Sequence, residues 1–221
     1  SQGCPWACGF CAEVTVTKRI WSAFSAEKVV DEIAFLNEKY GVDTVLIYDT
    51  NFFVKQERVK DIFKGILEKN LDVSFAFLNA RADQVLRFDQ EMMDLFKKVK
   101  VNDFLMGAEA GSDELLNFIN KKSSVADLLN AKRLLKQNNI TASLSFMVGL
   151  PIPEKMNISI DEEFKIMLDN IKEVQSIDDN NNIKIFVYTP YPGTPLFSYS
   201  IEKGLKQPAT LEEWSTWGNT N

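Results

Sequence analysis

Helix-like and strand-like patterns of apolar residues alternate along the chain. Ser25 can cap a helix in which apolar residues repeat at helical spacing, and Gly41 ends it. Residues 42–48 then form a short β-branched run, which predicts a buried strand. The same alternation continues as far as Tyr188. Helices that alternate with strands predict parallel βα units and an α/β fold.

Four more helical patterns and four more strand patterns follow the first pair. The helices are predicted around 59–67, around 92–99 with Asp89 as a cap, around 128–135 after segments that start near Ser112 and Ser124, and around 164–171. The strands are predicted at 73–78, 104–106, 142–148 and 183–188, and a polar connecting loop at 178–182 precedes the last one. We favour a barrel-like arrangement over an open doubly wound sheet. In both, ligands bind at the carboxyl ends of the strands, where polar residues cluster in this sequence.

Composition limits what the chain can be. With 221 residues and 45% hydrophobic content, it can bury one core, so we expect a single domain over 1–221 whose last 20 or so residues are peripheral. A net charge of -6 argues against non-specific binding to nucleic acid or to an anionic membrane. No run reaches the roughly 18 apolar residues of a membrane span, so we expect a cytoplasmic protein.

Three cysteines, Cys4, Cys8 and Cys11, stand close together near the amino terminus, and the sequence contains no histidine. Their odd number and short spacings do not suit a disulfide framework. A structural zinc site normally has four protein ligands, so a zinc-binding module without catalytic activity would need a carboxylate as well. A four-iron cluster usually has four cysteine ligands, so three leave one iron open to a small molecule. We favour the cluster, and zinc remains the alternative.

The segment from Cys4 to Cys11, CPWACGFC, resembles the CxxxCxxC loop of the radical S-adenosylmethionine (radical SAM) superfamily. The resemblance extends to further segments. These are 48–53, 107–112, 119–121, 146–151 and 190–196. Together they are similar to the branch that includes cobalamin-binding radical enzymes, methylthiotransferases and coproporphyrinogen dehydrogenases.

This resemblance implies a fold and a reaction. The fold would be a partial (β/α)6 barrel similar to a TIM barrel, and because almost nothing precedes Ser1, we expect this fragment to lack the first strand. A [4Fe-4S] cluster on the three cysteines would bind S-adenosylmethionine and cleave it reductively. The resulting 5'-deoxyadenosyl radical would abstract hydrogen from a substrate. The protein would bind and orient the cofactor and the substrate and would exclude water from the site.

Partners and outcome are implied only in outline. An electron donor such as flavodoxin or ferredoxin would reduce the cluster, and the substrate would be a small molecule or be derived from peptide or RNA. Cobalamin would come through a domain upstream of Ser1, in a methyltransferase or a related enzyme that functionalises C–H bonds. A methylthiotransferase is the alternative within the family.

The resemblance also assigns cofactor-binding residues. Phe10 would lie beside the adenine, and Asp49, Thr50 and Asn51 against the methionine amino group, although this loop lacks the glycines of many relatives. Glu109 would accept hydrogen bonds from the ribose hydroxyls or the amino group.

The remaining assignments concern the carboxylate and the far side of the cofactor. Lys121, or Lys122 beside it, would face the methionine carboxylate, and Arg81 is a second candidate for that carboxylate or for a substrate anion. Ser145 and Met147 would contact the ribose and adenine. We expect two tyrosines to border the substrate pocket, Tyr188 and Tyr191.

Overall fold

The computed structural model describes residues 1–180 and 182–217. Asn181, in the polar loop predicted at 178–182, and residues 218–221 of the predicted domain lie outside the described residues. The described α-helices are Glu13–Val16 (α1), Ala26–Tyr40 (α2), Gln56–Glu68 (α3), Ala82–Val85 (α4), Gln90–Lys98 (α5), Asp113–Phe118 (α6), Val125–Gln137 (α7), Ile160–Ile177 (α8), Pro195–Glu202 (α9) and Leu211–Ser215 (α10). The described strands are Thr44–Leu46 (β1), Ser74–Ala76 (β2), Leu78–Ala80 (β3), Asp103–Glu109 (β4), Thr141–Val148 (β5) and Ile183–Val187 (β6).

All four strand pairs of the described chain are parallel, which confirms the predicted α/β class. β1 pairs with β2, and a four-stranded sheet has the order β3-β4-β5-β6. A parallel bridge between Phe75 and Val101 connects the two sheets. Neighbouring strands are therefore also successive in the chain, with helices between them, as in part of a (β/α) barrel.

Two predicted strands differ from those observed. The strand predicted at 73–78 is divided into β2 and β3 by Phe77, whose φ of +55° places it in the left-handed region. The strand predicted as buried at 42–48 is shortened to β1, and Leu46 and Tyr48 are exposed. β1 is exposed because it pairs with β2 alone among the described strands, and only its central Val45 packs against the core.

The helix starts agree with the sequence pattern. Ser25, Asp89, Ser112 and Ser124 each accept a hydrogen bond from a backbone amide three residues later. Such caps satisfy amides that a helix cannot pair internally, each contributing about 1 kcal/mol. Amphipathic faces of α3, α5 and α7 then cover the sheet.

The core is rich in aromatic rings. Phe53 stacks on Phe104 of β4 with ring centroids 5.3 Å apart, and Phe96 of α5 meets Phe104 edge-on at 5.4 Å. All three rings are buried. This packing fixes the amino-terminal part of β4 against the loop after β1. None of the described helices has the length and apolar character to cross a bilayer.

Candidate functional site

A cavity of about 230 Å³ lies at the carboxyl ends of β3, β4 and β5. The cysteine loop forms one wall, and the strand ends form the other, as the sequence predicts for parallel strands. Most of the sequence-predicted site residues line it. They are Cys4, Cys8, Cys11, Phe10, Thr50, Asn51, Arg81, Glu109, Lys121 and Ser145.

The cysteine loop is held from both sides through Gly9. The Gly9 amide donates to the carbonyl of Ile119 at 2.8 Å, and the Gly9 carbonyl accepts from the amide of Leu196 at 3.0 Å. A Cβ on Gly9 would lie 2.8 Å from the Leu196 side chain. The side chain of Asn120 donates to the carbonyl of Ala7 at 2.5 Å. The loop is therefore fixed to the end of α6 and the start of α9.

The three cysteines are free thiols, and Cys8 lies close enough to Cys4 and Cys11 to affect their ionisation. Burial raises the pKa of the Cys4 and Cys11 thiols, and the neighbouring Cys8 adds to this effect. Backbone hydrogen bonds, from Trp6 to Cys4 and from Glu13 to Cys11, partly oppose it. Binding of a metal centre would displace their protons.

Glu109 and Lys121 form an ion pair in the wall of the cavity. The Lys121 Nζ lies 2.7 Å from the Glu109 Oε1, and both residues are buried. A bulge in β4 and a φ of +66° at Glu109 turn this carboxylate inward. A Cβ on Gly107 would lie 2.0 Å from that Oε1, so a glycine there leaves room for the pair. Lys122, the alternative to Lys121, is exposed.

Arg81 follows β3 and is buried against the cysteine loop. Its Nη1 lies 3.7 Å from the Cys8 Sγ, and its guanidinium lies 5.1 Å from the centre of the Trp6 ring. Its Nε donates to the Asp83 carboxylate at 2.8 Å. Its Nη2 donates to the carbonyls of Lys121 at 2.5 Å and of Lys122 at 3.0 Å.

Only part of the loop after β1 lines the cavity. Thr50 and Asn51 line the cavity, but the Asn51 amide is already bonded to Gln84 at 2.9 Å and to the amide of Phe53 at 3.1 Å. Asp49 does not line the cavity, and its carboxylate accepts from the side-chain hydroxyl of Ser1. The predicted role of this loop towards a ligand therefore concerns its backbone rather than the Asn51 side chain.

Met147 belongs to a second cavity of about 360 Å³ beside β6. Phe10 lines both cavities, and Tyr188 and Tyr191 line the second one with Met147. Ser145 and Met147 share one face of β5, as alternation along a strand requires, but they border different cavities.

The turn after β5 is held by a buried carboxylate. Glu163 of α8 accepts from the amides of Gly149 at 3.0 Å and Leu150 at 3.2 Å. Burial raises the pKa of this carboxyl, and the two amide hydrogen bonds oppose the rise. Glu163 thus anchors the end of the strand that carries Ser145.

Residues 1–163 match the family described as the Radical SAM superfamily, and this match spans well over half of the chain. The chain belongs to the radical SAM superfamily. The family prediction is confirmed, and the match includes the cysteine loop and the strand ends up to Gly149.

This radical SAM chain is similar to parts of longer curated proteins. It is 26% identical to an uncharacterized methyltransferase of Pyrococcus horikoshii, over 98% of this chain and 44% of the relative. It is also 26% identical to the anaerobic magnesium-protoporphyrin IX monomethyl ester cyclase of Rubrivivax gelatinosus, over 89% of this chain and 33% of the relative. The chain therefore spans less than half the length of these curated relatives.

A solved structure shares the fold. The radical SAM methyltransferase TsrM of Kitasatospora setae, determined with cobalamin and a [4Fe-4S] cluster bound, matches with a TM-score of 0.74 and 17% identity. The match covers 94% of this chain and 39% of TsrM. A partial barrel of the radical SAM type is thus the fold of this chain.

The donor set of the radical SAM loop suits a four-iron cluster with one open iron. Three free cysteines line a cavity that also contains a buried carboxylate and a buried ammonium. Within 1–180 and 182–217, no group of three or more His, Cys, Asp or Glu side chains forms a ligand set for a single metal ion. A four-iron cluster does not require such a set, because each cysteine binds a different iron.

Several contributors to the site could not be identified from the sequence pattern. In the sequence, Trp6 is only one residue of the cysteine motif, whereas in the structure its ring packs on the Arg81 guanidinium. Gln84 is a buried amide that bonds Asn51 and the Arg81 backbone amide. Its position three residues after Arg81, at the start of α4, is the one local signal that marks it.

Proposed function

We propose that this chain is the catalytic core of a radical SAM enzyme that binds a [4Fe-4S] cluster through Cys4, Cys8 and Cys11 and binds S-adenosylmethionine beside it. One observation carries the proposal. The three free cysteines at CxxxCxxC spacing line the same cavity as the buried Glu109–Lys121 pair. When bound, the reduced cluster supplies the electron that cleaves S-adenosylmethionine to methionine and a 5'-deoxyadenosyl radical.

The wall of the cavity offers groups for the charged end of the cofactor. Lys121 and Glu109 carry opposite charges side by side. The methionine part of the cofactor likewise carries an ammonium group close to a carboxylate. The pair can therefore exchange partners with an incoming zwitterion without leaving a buried charge alone. We assign Lys121 to the carboxylate and Glu109 to the amino group or the ribose hydroxyls.

The apolar part of the cofactor would lie towards the second cavity. Phe10 lines both cavities and offers an aromatic face for the adenine, with Ser145 on the adjacent strand. Met147 borders the second cavity, so its contact would be with the adenine edge or the substrate. These residues orient the cofactor and exclude water.

The first experiment tests the cluster. Purified without oxygen and reconstituted with iron and sulfide, the chain should turn brown and hold close to four iron and four sulfide. With dithionite as a low-potential one-electron donor, standing in for a flavodoxin or ferredoxin, it should produce 5'-deoxyadenosine from S-adenosylmethionine. Cys8→Ala should abolish this product, because a missing ligand loosens the cluster.

The control for this experiment is Ser176→Ala on α8, which removes a side-chain oxygen at an exposed position away from the cavity. It should retain both the iron content and the product. Colourless protein with one zinc per chain would reject the proposal in favour of the zinc-binding alternative. Product that persists in Cys8→Ala would show that the cluster lies elsewhere.

Within the family we favour methyl transfer that depends on cobalamin over methylthio transfer. The support is the similarity to the methyltransferase of Pyrococcus horikoshii and to TsrM. The modified substrate distinguishes the two routes, because methyl transfer adds only a methyl group, whereas methylthio transfer adds a sulfur atom as well. Both routes take the methyl group from S-adenosylmethionine and leave S-adenosylhomocysteine, so the dependence on cobalamin is the second criterion. Substrate-dependent S-adenosylhomocysteine, detected by mass spectrometry only when cobalamin is supplied, would support methyl transfer. Its absence in the presence of an accepted substrate would contradict it.

A further inference from the structure

Arg81 uses nearly all of its hydrogen-bonding capacity inside the protein. A guanidinium has five N–H donors in a planar fork. The Nε donor is bonded to Asp83, both Nη2 donors are bonded to the carbonyls of Lys121 and Lys122, and one Nη1 donor points at the sulfur of Cys8. One donor is left for any further partner.

These contacts argue against Arg81 as the group that binds the cofactor carboxylate. A bidentate grip on a carboxylate needs two free parallel N–H groups. The Nη2 edge is occupied by two backbone carbonyls and the Nε edge by Asp83. The remaining free edge faces Cys8 and the Trp6 ring.

The cation lies where it affects the cluster ligand. Its Nη1 is 3.7 Å from the Cys8 Sγ, and both residues are buried, so solvent screens the interaction weakly. Hydrogen bonds to sulfur, net charge and solvent exposure set the reduction potential of iron–sulfur clusters. A positive charge and a donor at a ligand sulfur favour the reduced state, because reduction adds one negative charge while no bond forms or breaks.

We propose that Arg81 is a positioning residue that holds Cys8 through an N–H···S contact and raises the reduction potential of the cluster bound by the cysteine loop. The inference rests on the proposed function, since it needs a cluster at Cys8. It replaces the role that the family resemblance implies for Arg81. It also explains why Arg81 is tied to the cysteine loop, to the carbonyls after α6 and to Asp83 at once.

The test compares Arg81→Gln with Arg87→Gln. Arg87 bonds the other oxygen of the same Asp83 at 3.2 Å, but its side chain is 68% exposed. Both variants therefore lose one positive charge beside Asp83, and only Arg81→Gln loses the contact with Cys8. The reconstituted proteins are poised with redox dyes, and the reduced cluster is measured by electron paramagnetic resonance without S-adenosylmethionine, alongside iron and sulfide content.

Arg81→Gln should lower the ratio of reduced to oxidised cluster about tenfold at a fixed potential, which is about 59 mV for one electron. Arg87→Gln should change that ratio less than twofold. A folded Arg81→Gln protein with full iron content and the wild-type potential would overturn the inference. An equal shift in both variants would also overturn it, because the effect would then be one of general charge.

A second variant decides the matter if Arg81→Gln fails to fold. Asp83→Asn keeps the guanidinium and removes its carboxylate partner, so the cation at Cys8 is less compensated and the potential should rise. An unchanged potential in Asp83→Asn would overturn the inference. Failure of the wild-type protein to bind any cluster would instead reject the proposed function.

Discussion

Gly107 has no side chain at the point where two buried charges need the space. Its missing Cβ would lie 2.0 Å from the Glu109 Oε1 and 2.9 Å from the Lys121 Nζ. Larger residues are therefore excluded while the pair exists. Breaking a buried pair by removing one partner strands the other charge, whereas removing both does not.

We expect Lys121→Met to lower the free energy of unfolding by about 3–5 kcal/mol, because it leaves the Glu109 carboxylate unpaired. The double variant Glu109→Gln/Lys121→Met should recover much of this loss. Urea unfolding of the wild type, both single variants and the double variant measures the coupling energy.

Lys172→Met is the control for this cycle. Lys172 pairs with Asp169 at 2.9 Å, but both side chains are more than half exposed. Its loss should lower the free energy of unfolding far less than the loss of Lys121, because solvent screens an exposed ion pair. Strictly additive effects at Glu109 and Lys121 would show that the two residues do not stabilise each other.

The sequence identified many site residues but not their arrangement. The cysteines, Glu109 and Lys121 could be found because each lies in a short motif, and the cavity brings them together. The ion pair could not be predicted, since it depends on a bulge and on a left-handed Glu109 in β4. Asp49 lies outside the cavity for a similar reason, because the path of its loop is set by tertiary contacts.

Lys60 links two helices through carboxylates. It is buried on α3, and its Nζ lies 2.6 Å from Asp89, the cap of α5, and 3.0 Å from both Glu57 and Glu91. Hydrogen bonds with these carboxylates raise the pKa of Lys60 above its usual range. The pKa of Asp89 is lowered by Lys60, and that of Glu91 by Lys64 first and Lys60 second.

This arrangement predicts a stability difference that depends on pH. A carboxylate with a lowered pKa in the folded state adds stability above its unfolded pKa, about 3.9 for Asp, and loses it as the pH falls through the folded value. Lys60→Met should therefore be less stable than the wild type near pH 7, and the difference should shrink below about pH 4. Thermal unfolding monitored from pH 7 to pH 2 measures it.

Lys206→Met removes the same charge from an exposed position and serves as the control. Its stability should follow that of the wild type at each pH. A Lys60→Met deficit that stays constant down to pH 2 would show that the lost contacts are packing contacts of the lysine stem rather than ionic ones.

At the element scale, helices were easier to predict than strands. Caps such as Asp89 and Ser124 are local hydrogen bonds, so their sequence signals carry over directly into the structure. The division between β2 and β3 at Phe77 has no such signal, because an aromatic residue rarely adopts a left-handed conformation. Likewise, the exposure of β1 depends on how few strands pair with it, which local composition does not encode.

For the whole molecule, β6 is the least covered part of the four-stranded sheet. It pairs only with β5 among the described strands, and Ile185, Phe186 and Val187 are 46%, 52% and 56% exposed. An apolar strand with free backbone groups at a sheet edge favours pairing with other chains.

We expect the isolated chain to self-associate with rising concentration, and Ile185→Lys to reduce this, because a charged side chain on an edge strand opposes pairing. Leu168→Lys is the control, since Leu168 is 42% exposed but lies on α8, whose backbone groups are internally bonded. Static light scattering measures the effect. Equal improvement in both variants would attribute the association to general surface hydrophobicity.

The backbone of Gly9 has a consequence for how the protein folds. Its amide and carbonyl are held by Ile119 and Leu196, which lie in the middle and near the far end of the described chain. The cysteines leave the ribosome before Ile119 and Leu196, so their loop is not held on both sides until the start of α9 has been synthesised and has packed against it. We therefore expect a chain truncated before Leu196 to present the three thiols in a loop that is held on one side only.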